Sequence, residues 1–257
     1  MNTNSMTDFQ CNICGTHNTC HLSELSREKD SCRECHSTVR MRSIIHLLSL
    51  SLFGKSIILP DFPTNKDIHG IGMSDWDTYA KPLAEKLDYI NTFYHKKPKL
   101  DITDITNEPM GTLDFIISTD VYEHVLYPVD RAFINTVKLL KPQGVFIFTV
   151  PYTKEGNQTL EHFGELHDFT INKTDNGYIL IDRLPNGNIR EFKDLIFHGG
   201  PGSTLEMRVF SEQSLIKELK NAGFNSIKIL SEPFMKYGIF SGDELWSLPI
   251  IASVNNQ

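Results

Sequence analysis

Apolar residues Met41, Ile44, Ile45, Leu48 and Leu52 recur at helical spacing, which predicts a helix over Val39 to Phe53 ended by Gly54. Downstream the period changes. Ser56 to Leu59 is a short apolar strand candidate, and Pro60 to Lys66, with two prolines, reads as a linker. Asp67 to Asp75 reads as a strand running into a turn that contains Gly70 and Gly72. Trp76 to Leu87 is a predicted helix and Tyr89 to Tyr94 a predicted strand. Leu113 to Ser118 is almost wholly apolar, as expected of a strand covered on both faces. A helix is expected over Val129 to Leu140, a turn over Lys141 to Gly144, and a second buried strand over Val145 to Val150. Strand and helix alternate, so the body is a parallel, doubly wound sheet.

The alternation stops at Pro151. Residues 151–202 read as an insertion, with Tyr178 to Leu184 and Asn188 to Phe192 flanking an Asn186-Gly187 hairpin turn. Ser211 caps a helix through Asn221, with Glu212 in its first turn and Gly223 just past its end. Phe224 to Leu230 and Leu245 to Val254 are the closing strands. No internal repeat is visible.

The cysteines change the picture at the N-terminus. Cys11-x-x-Cys14 and Cys32-x-x-Cys35 have zinc-ribbon spacing, since each CxxC turn aims two thiolates at one point. Gly15 suits the left-handed position such knuckles use. Cys20, His17 and His21 lie between the pairs and are expected to be bystanders. Residues 9–38 are too poor in apolar residues to fold on a core alone, so bound Zn2+ is expected to supply the difference.

The expected organisation is a zinc ribbon over 1–38, a connecting helix and linker over 39–65, and a larger domain over 66–257. The first ten residues carry no basic or apolar leader pattern, and no apolar run is long enough to span a bilayer. A cytoplasmic protein without membrane insertion is expected. There free thiols argue for metal rather than disulfides. Asp and Glu exceed Lys and Arg by 32 to 25, a net charge of −7, which argues against a dedicated phosphate-backbone binder.

Several pieces together resemble a known family. The turn Gly70-Ile-Gly72-Met-Ser-Asp75 is followed by Leu100-Asp-Ile-Thr103. Leu113-Asp-Phe-Ile-Ile-Ser118 then runs into Asp120-Val-Tyr-Glu-His-Val125. Leu139-Leu-Lys-Pro-Gln-Gly144 and Ala222-Gly-Phe224 complete the order. Over residues 66–254 this resembles class I S-adenosylmethionine (SAM)-dependent methyltransferases. With the ribbon and the Glu161-to-Asp168 stretch it is similar to a bacterial subgroup. The resemblance implies a Rossmann-like α/β fold with a small N-terminal zinc ribbon and a β-hairpin insertion.

The resemblance also implies a cofactor, SAM, and residues for it. Gly70 and Gly72 would face its methionine part, and Asp75 its amino group. Asp101 and Ile102 would meet the adenine edge, and Thr119 and Asp120 follow the fourth strand of the family's order. The family's third glycine is replaced by Ser74, and Ile68 stands where an acidic residue is usual. No carboxylate ends the second strand.

An oxygen or nitrogen acceptor needs a base, and histidine suits that role near neutral pH. His124, His162 and His167 are the candidates, with His198 a weaker fourth. The function expected is methyl transfer to a small-molecule or glycan-linked acceptor. Two alternatives come from other classes. One is an RNA methyltransferase that binds RNA through its ribbon, although residues 1–50 carry five basic and five acidic side chains. The other is a non-catalytic interaction protein that keeps the fold. The oligomeric state is open.

Overall fold

The computed structural model describes residues 5–240 and 246–254. Two short strands, β1 (Met6–Gln10) and β2 (His17–His21), pair antiparallel at the N-terminus. Helix α1 (Val39–Phe53) follows, capped by the Thr38 hydroxyl at one end and by Gly54, φ 66°, at the other. Then come β3 (Asn65–Met73), α2 (Asp77–Lys86), β4 (Leu87–Thr92), β5 (Leu113–Thr119), α3 (Asp130–Leu139) and β6 (Leu140–Thr149). An insertion carries β7 (Tyr152–Thr153), β8 (Leu160–Glu161), β9 (Asp168–Thr174), β10 (Gly177–Arg183), β11 (Ile189–Phe192), β12 (Phe197–His198), β13 (Thr204–Leu205) and β14 (Arg208–Ser211). Helix α4 (Glu212–Ala222), β15 (Ser226–Ile229) and β16 (Ile250–Ser253) complete the chain.

The main sheet has six strands in the order β15-β16-β6-β5-β3-β4. The four strands β4, β3, β5 and β6 are parallel, and β16 and β15 add antiparallel. This is the Rossmann-like doubly wound α/β arrangement. Side chains alternate across it. Phe115 and Ile117 of β5, with Val145 and Ile147 of β6, enter one buried cluster with α1 and α2. Ile116, Phe146 and Phe148 point the other way, into a cluster with α3 and α4.

Helix α1 therefore covers the sheet: Ile44, Ile45 and Leu48 are fully buried in the first cluster. Phe9, Cys11 and Ile13 of the cysteine-bearing segment belong to the same cluster. Arg42 of α1 fastens that junction. It is fully buried and donates to the carbonyls of Ser37 and Gly238 at 2.8 and 3.0 Å and to the Ser31 hydroxyl at 2.9 Å.

Three local expectations are corrected. Ser56 to Leu59 is not a strand. Only a single helical turn, Leu59–Asp61, forms there, and Pro60 cannot donate to a ladder. Lys141 to Gly144 is not a free turn but the irregular start of β6. Gly144 fits because a Cβ there would lie 2.8 Å from the Leu113 carbonyl oxygen. The Asn186-Gly187 hairpin forms between β10 and β11, and β9, which sequence reading leaves as loop, adds a third strand. Leu245, the expected start of the last strand, lies outside the described residues.

His46 of α1 gives a testable pH effect. It is buried and stacked on Phe234 with ring centroids 4.4 Å apart, and its Nδ1 lies 2.5 Å from the Ser56 hydroxyl. Burial pulls its pKa down to about 4. The unfolded chain protonates first, near pH 6.5, so this stability is complete above that pH and is lost as pH falls towards 4. The urea midpoint of the wild type should drop between pH 7 and pH 4.5 by more than that of His46→Gln. Equal drops would show that His46 is not the group responsible.

Candidate functional site

The N-terminal site comes first in the chain. Cys11 Sγ lies 3.7 Å from Cys35 Sγ, and Cys14 Sγ lies 3.6 Å from Cys32 Sγ. All four sulfurs lie within 4.8 Å of one another. A tetrahedron of thiolates around zinc, with bonds of about 2.3 Å, has edges of about 3.8 Å. A disulfide would need about 2.05 Å. The donor set and spacing fit zinc. Each knuckle closes on a left-handed residue whose amide donates back to the first cysteine: Gly15 (φ 82°) to the Cys11 carbonyl, and His36 (φ 57°) to the Cys32 carbonyl. The role of His36 has no signal in its residue type. Cys20, His17 and His21 are not in the cluster.

The second region is the edge where β3, β4 and β5 end. The glycines expected in the first turn are inside β3 instead. A Cβ on Gly70 would lie 2.2–2.5 Å from Phe115 ring atoms, and one on Gly72 would lie 1.9 Å from the Tyr89 hydroxyl. Both glycines make room for neighbouring side chains on the faces where a Cβ would stand. The chain reverses later, at Ser74 (φ 60°), whose amide donates to the Thr92 carbonyl.

Asp75 does not project to the edge. It is buried, and Tyr89 donates its hydroxyl to Oδ2 at 2.6 Å. Burial raises its carboxyl to about 7, against the hydrogen bond from Tyr89. Its Oδ1, the Tyr79 hydroxyl and the Ser118 hydroxyl are buried without a hydrogen-bond partner.

Asp101 returns to this edge because the chain after β4 folds back, with the Leu100 amide donating to the Phe93 carbonyl. Its Oδ1 accepts from the amide and hydroxyl of Thr103 at 2.9 and 2.7 Å. Ile102 is buried, and its carbonyl accepts from the Asn135 amide nitrogen. Thr119 ends β5, buried. Asp120 follows in the left-handed region, φ 55°. Its Oδ1 accepts from Arg27 at 2.5 Å and from Thr149 at 2.8 Å, and Arg40 stands 3.6 Å from Oδ2. Burial works against the charged form, but the two guanidinium groups prevail and hold the carboxyl below the usual range.

The third region lies just past β5, against the insertion. Glu123 is fully buried, and both its carboxylate oxygens lack a hydrogen-bond partner. Burial, then the nearby Asp120 charge, push its pKa well up. His124 donates from Nδ1 to the Leu205 carbonyl at 2.8 Å. Burial lowers its pKa, so it is neutral at physiological pH. His198 stands edge-on to it, with centroids 4.8 Å apart. Glu206 holds both His198 (2.7 Å) and His162 (2.9 Å).

Of the three leading histidine candidates, two therefore share one cluster, and the weaker fourth joins them. His167 does not. Its amide donates to Asp182 at 2.8 Å, within the β9-β10-β11 sheet region where Arg190 also binds that carboxylate. Glu206 was not legible as a site residue, because its two partners are brought to it only by the insertion's fold.

No protein-family model matches the chain, and no curated protein matches it in sequence. Solved structures do resemble it. The CurJ carbon methyltransferase superposes with a TM-score of 0.50 at 13% identity over 86% of this chain, which spans 56% of that protein. A SAM-dependent methyltransferase from Clostridium acetobutylicum gives a TM-score of 0.44 at 13% identity, covering 74% of this chain and 85% of its own. A 1,6-didemethyltoxoflavin N1-methyltransferase from Burkholderia thailandensis gives 0.40 at 12% identity, over 72% of this chain and 70% of its own. Among the described residues no helix is long and apolar enough to cross a membrane. With its sheet order and helical layers, the chain has the fold of the class I SAM-dependent methyltransferases.

Proposed function

We propose that this protein is a SAM-dependent methyltransferase acting on an oxygen or nitrogen of a small-molecule or glycan-linked acceptor, with structural zinc in its four-cysteine site. The observation that carries this reading is the histidine–carboxylate cluster at Glu123, His124, His198, Glu206 and His162. It stands directly beyond β5, beside the edge where Ser74, Asp101 and Asp120 gather. Ligands of doubly wound sheets bind at that carboxyl edge.

The residues there fit a cofactor of this kind. The amides entering α2 face the edge, Asp101 has an oxygen beyond the one Thr103 uses, and the Ser118 hydroxyl is buried without a partner. SAM, when bound, supplies a methyl group on a positively charged sulfur. The chain's task is to hold the acceptor in line and to take its proton. His162 is the group suited to the proton, with His124 and His198 beside it, and the insertion that carries His162 and His198 would exclude water from the acceptor side.

Titrating SAM into zinc-loaded protein by calorimetry should give saturable binding of one equivalent. Asp101→Ala should weaken it about fivefold to tenfold, the loss of roughly one hydrogen bond. Absence of heat with correctly folded protein would sink the reading.

A second reading, an interaction protein that keeps the fold without turnover, has its own support. Side chains fill the space beside Gly72, and Asp120 is held by Arg27 and Arg40. Transfer of label from SAM to any component of a cell extract would eliminate it.

A further inference from the structure

We propose that Glu123, His124 and His198 form a second metal site, separate from the cysteines, that takes a divalent first-row transition ion. One ligand atom from each of the three lies within 4.8 Å of the others. The hydrogen bonds around them fix which atoms these are. A carbonyl oxygen only accepts, so the bond to Leu205 places the proton of His124 on Nδ1 and leaves the Nε2 lone pair free. Glu206 likewise draws the proton of His198 to Nε2, at 2.7 Å, and leaves the Nδ1 lone pair free.

Both lone pairs face the same carboxylate oxygen. His124 Nε2 is 3.8 Å and His198 Nδ1 is 3.7 Å from Glu123 Oε1. These separations are too long for hydrogen bonds. They are a few tenths of an ångström wider than the roughly 3–3.5 Å between donors that share an ion at bonds of about 2.1 Å, so an ion would draw the three side chains together. Glu123 itself is fully buried, and neither of its oxygens has a partner. A buried carboxylate facing two lone pairs is costly unless it takes up a proton or a cation stands between them.

The nearest cations are engaged elsewhere. Arg208 donates from Nε and Nη1 to Glu161 and to the carbonyls of Tyr122 and Val125, leaving only its Nη2 without a partner, and Arg27 is paired with Asp120.

The surroundings are those of a metal site as well. A ligating imidazole commonly donates its other nitrogen to a carboxylate or carbonyl, which orients it and raises its basicity. Glu206 and the Leu205 carbonyl do this for His198 and His124. Two imidazoles and one carboxylate suit zinc or iron(II) and leave coordination positions open, whereas Mg2+ and Ca2+ prefer all-oxygen sets. The open positions would face the cluster's exposed side, where His198 retains 35% side-chain exposure.

The test titrates cobalt(II) into the metal-free full-length protein, in which the first equivalent fills the four thiolates and restores the fold, followed by absorption. The four-thiolate site gives an intense sulfur-to-cobalt charge-transfer band. The Glu123 site should add weaker d–d bands, at a second equivalent, without any change in the charge-transfer band. Glu123→Gln should abolish the second set and keep the first. Glu206→Gln, which leaves all three ligands in place, should weaken the second equivalent by about 10- to 100-fold. Wild type that takes up one equivalent, at thiolates only, overturns the proposal. So does a second equivalent unchanged in both variants, or one displaced by millimolar Mg2+. No SAM or acceptor enters the measurement, so its failure is distinguishable from failure of the methyl-transfer reading.

Discussion

Stripping the zinc proposed for the four-cysteine site should unfold the whole protein rather than the N-terminal segment alone. The sulfurs of Cys11 and Cys32 are buried in the cluster that also holds Ile44, Leu48, Phe115 and Ile147. Arg42 reaches from α1 to the second knuckle and to Gly238, and the Phe9 ring lies 4.7 Å beneath its guanidinium. Structural zinc contributes on the order of 10–16 kcal/mol in small ribbon peptides, and a whole domain keeps only about 5–15 kcal/mol. Loss of the ion therefore removes most or all of the margin. Cys32→Ser, or a strong thiol-competing chelator, should abolish the near-ultraviolet circular dichroism of the sheet aromatics. Cys20→Ser, outside the four-cysteine cluster, should melt close to wild type. A chelated protein that keeps its single melting transition within a few degrees would show that the sheet stands without the ribbon.

The second large effect is expected at Gly70. Alanine there places a Cβ inside the ring of Phe115, which is fully buried between β3 and the α1 layer. Tyr89 stacks on that ring at 6.0 Å, nearly parallel, so Phe115 has no free direction in which to yield. Overpacking a tight core costs about 1–3 kcal/mol, and this contact, from backbone to an aromatic ring, belongs at the upper end. For a chain of this size that corresponds to a fall in Tm of roughly 6–12 °C. Phe115→Leu alone leaves a small void and should cost about 1 kcal/mol. Combined with Gly70→Ala it should recover part of the loss, a coupling that a double-mutant cycle reads directly. Simple additivity of the two substitutions would refute the steric account.

The same pair explains what the residue pattern could convey and what it could not. The alternation of Phe115, Ile116 and Ile117, and of Val145 to Phe148, made the buried parallel strands legible, because period two with apolar residues on both faces has few other solutions. The CxxC spacings made the four-cysteine cluster legible for a similar reason: the geometry of each pair is local. Gly70 and Gly72 lie within β3 and not in the turn after it, and a glycine beside a ligand and a glycine beside a phenyl ring look alike in sequence. The deciding neighbours, Phe115 and Tyr89, are distant in the chain. Asp75 is expected to meet the amino group of the cofactor, and only the tyrosines packed around it show that it is buried. Glu206 is a further instance. Its partners His162 and His198 are joined to it through the folding of the insertion, which carries little periodic signal.

The Arg42 junction also bears on how such a chain is inherited. A ribbon that shares its apolar residues with the sheet cannot be exchanged between proteins like a bead on a string. Its recombination would have to carry α1 and the Gly238 turn along with it. Expression begun at residue 39 would strip Phe9, Cys11 and Ile13 from the shared cluster, and expression begun at residue 66 would also remove α1 and Phe62 and uncover the α1-facing side of β6. The ribbon and the methyltransferase fold are thus one unit of selection, and change in either is constrained by the other.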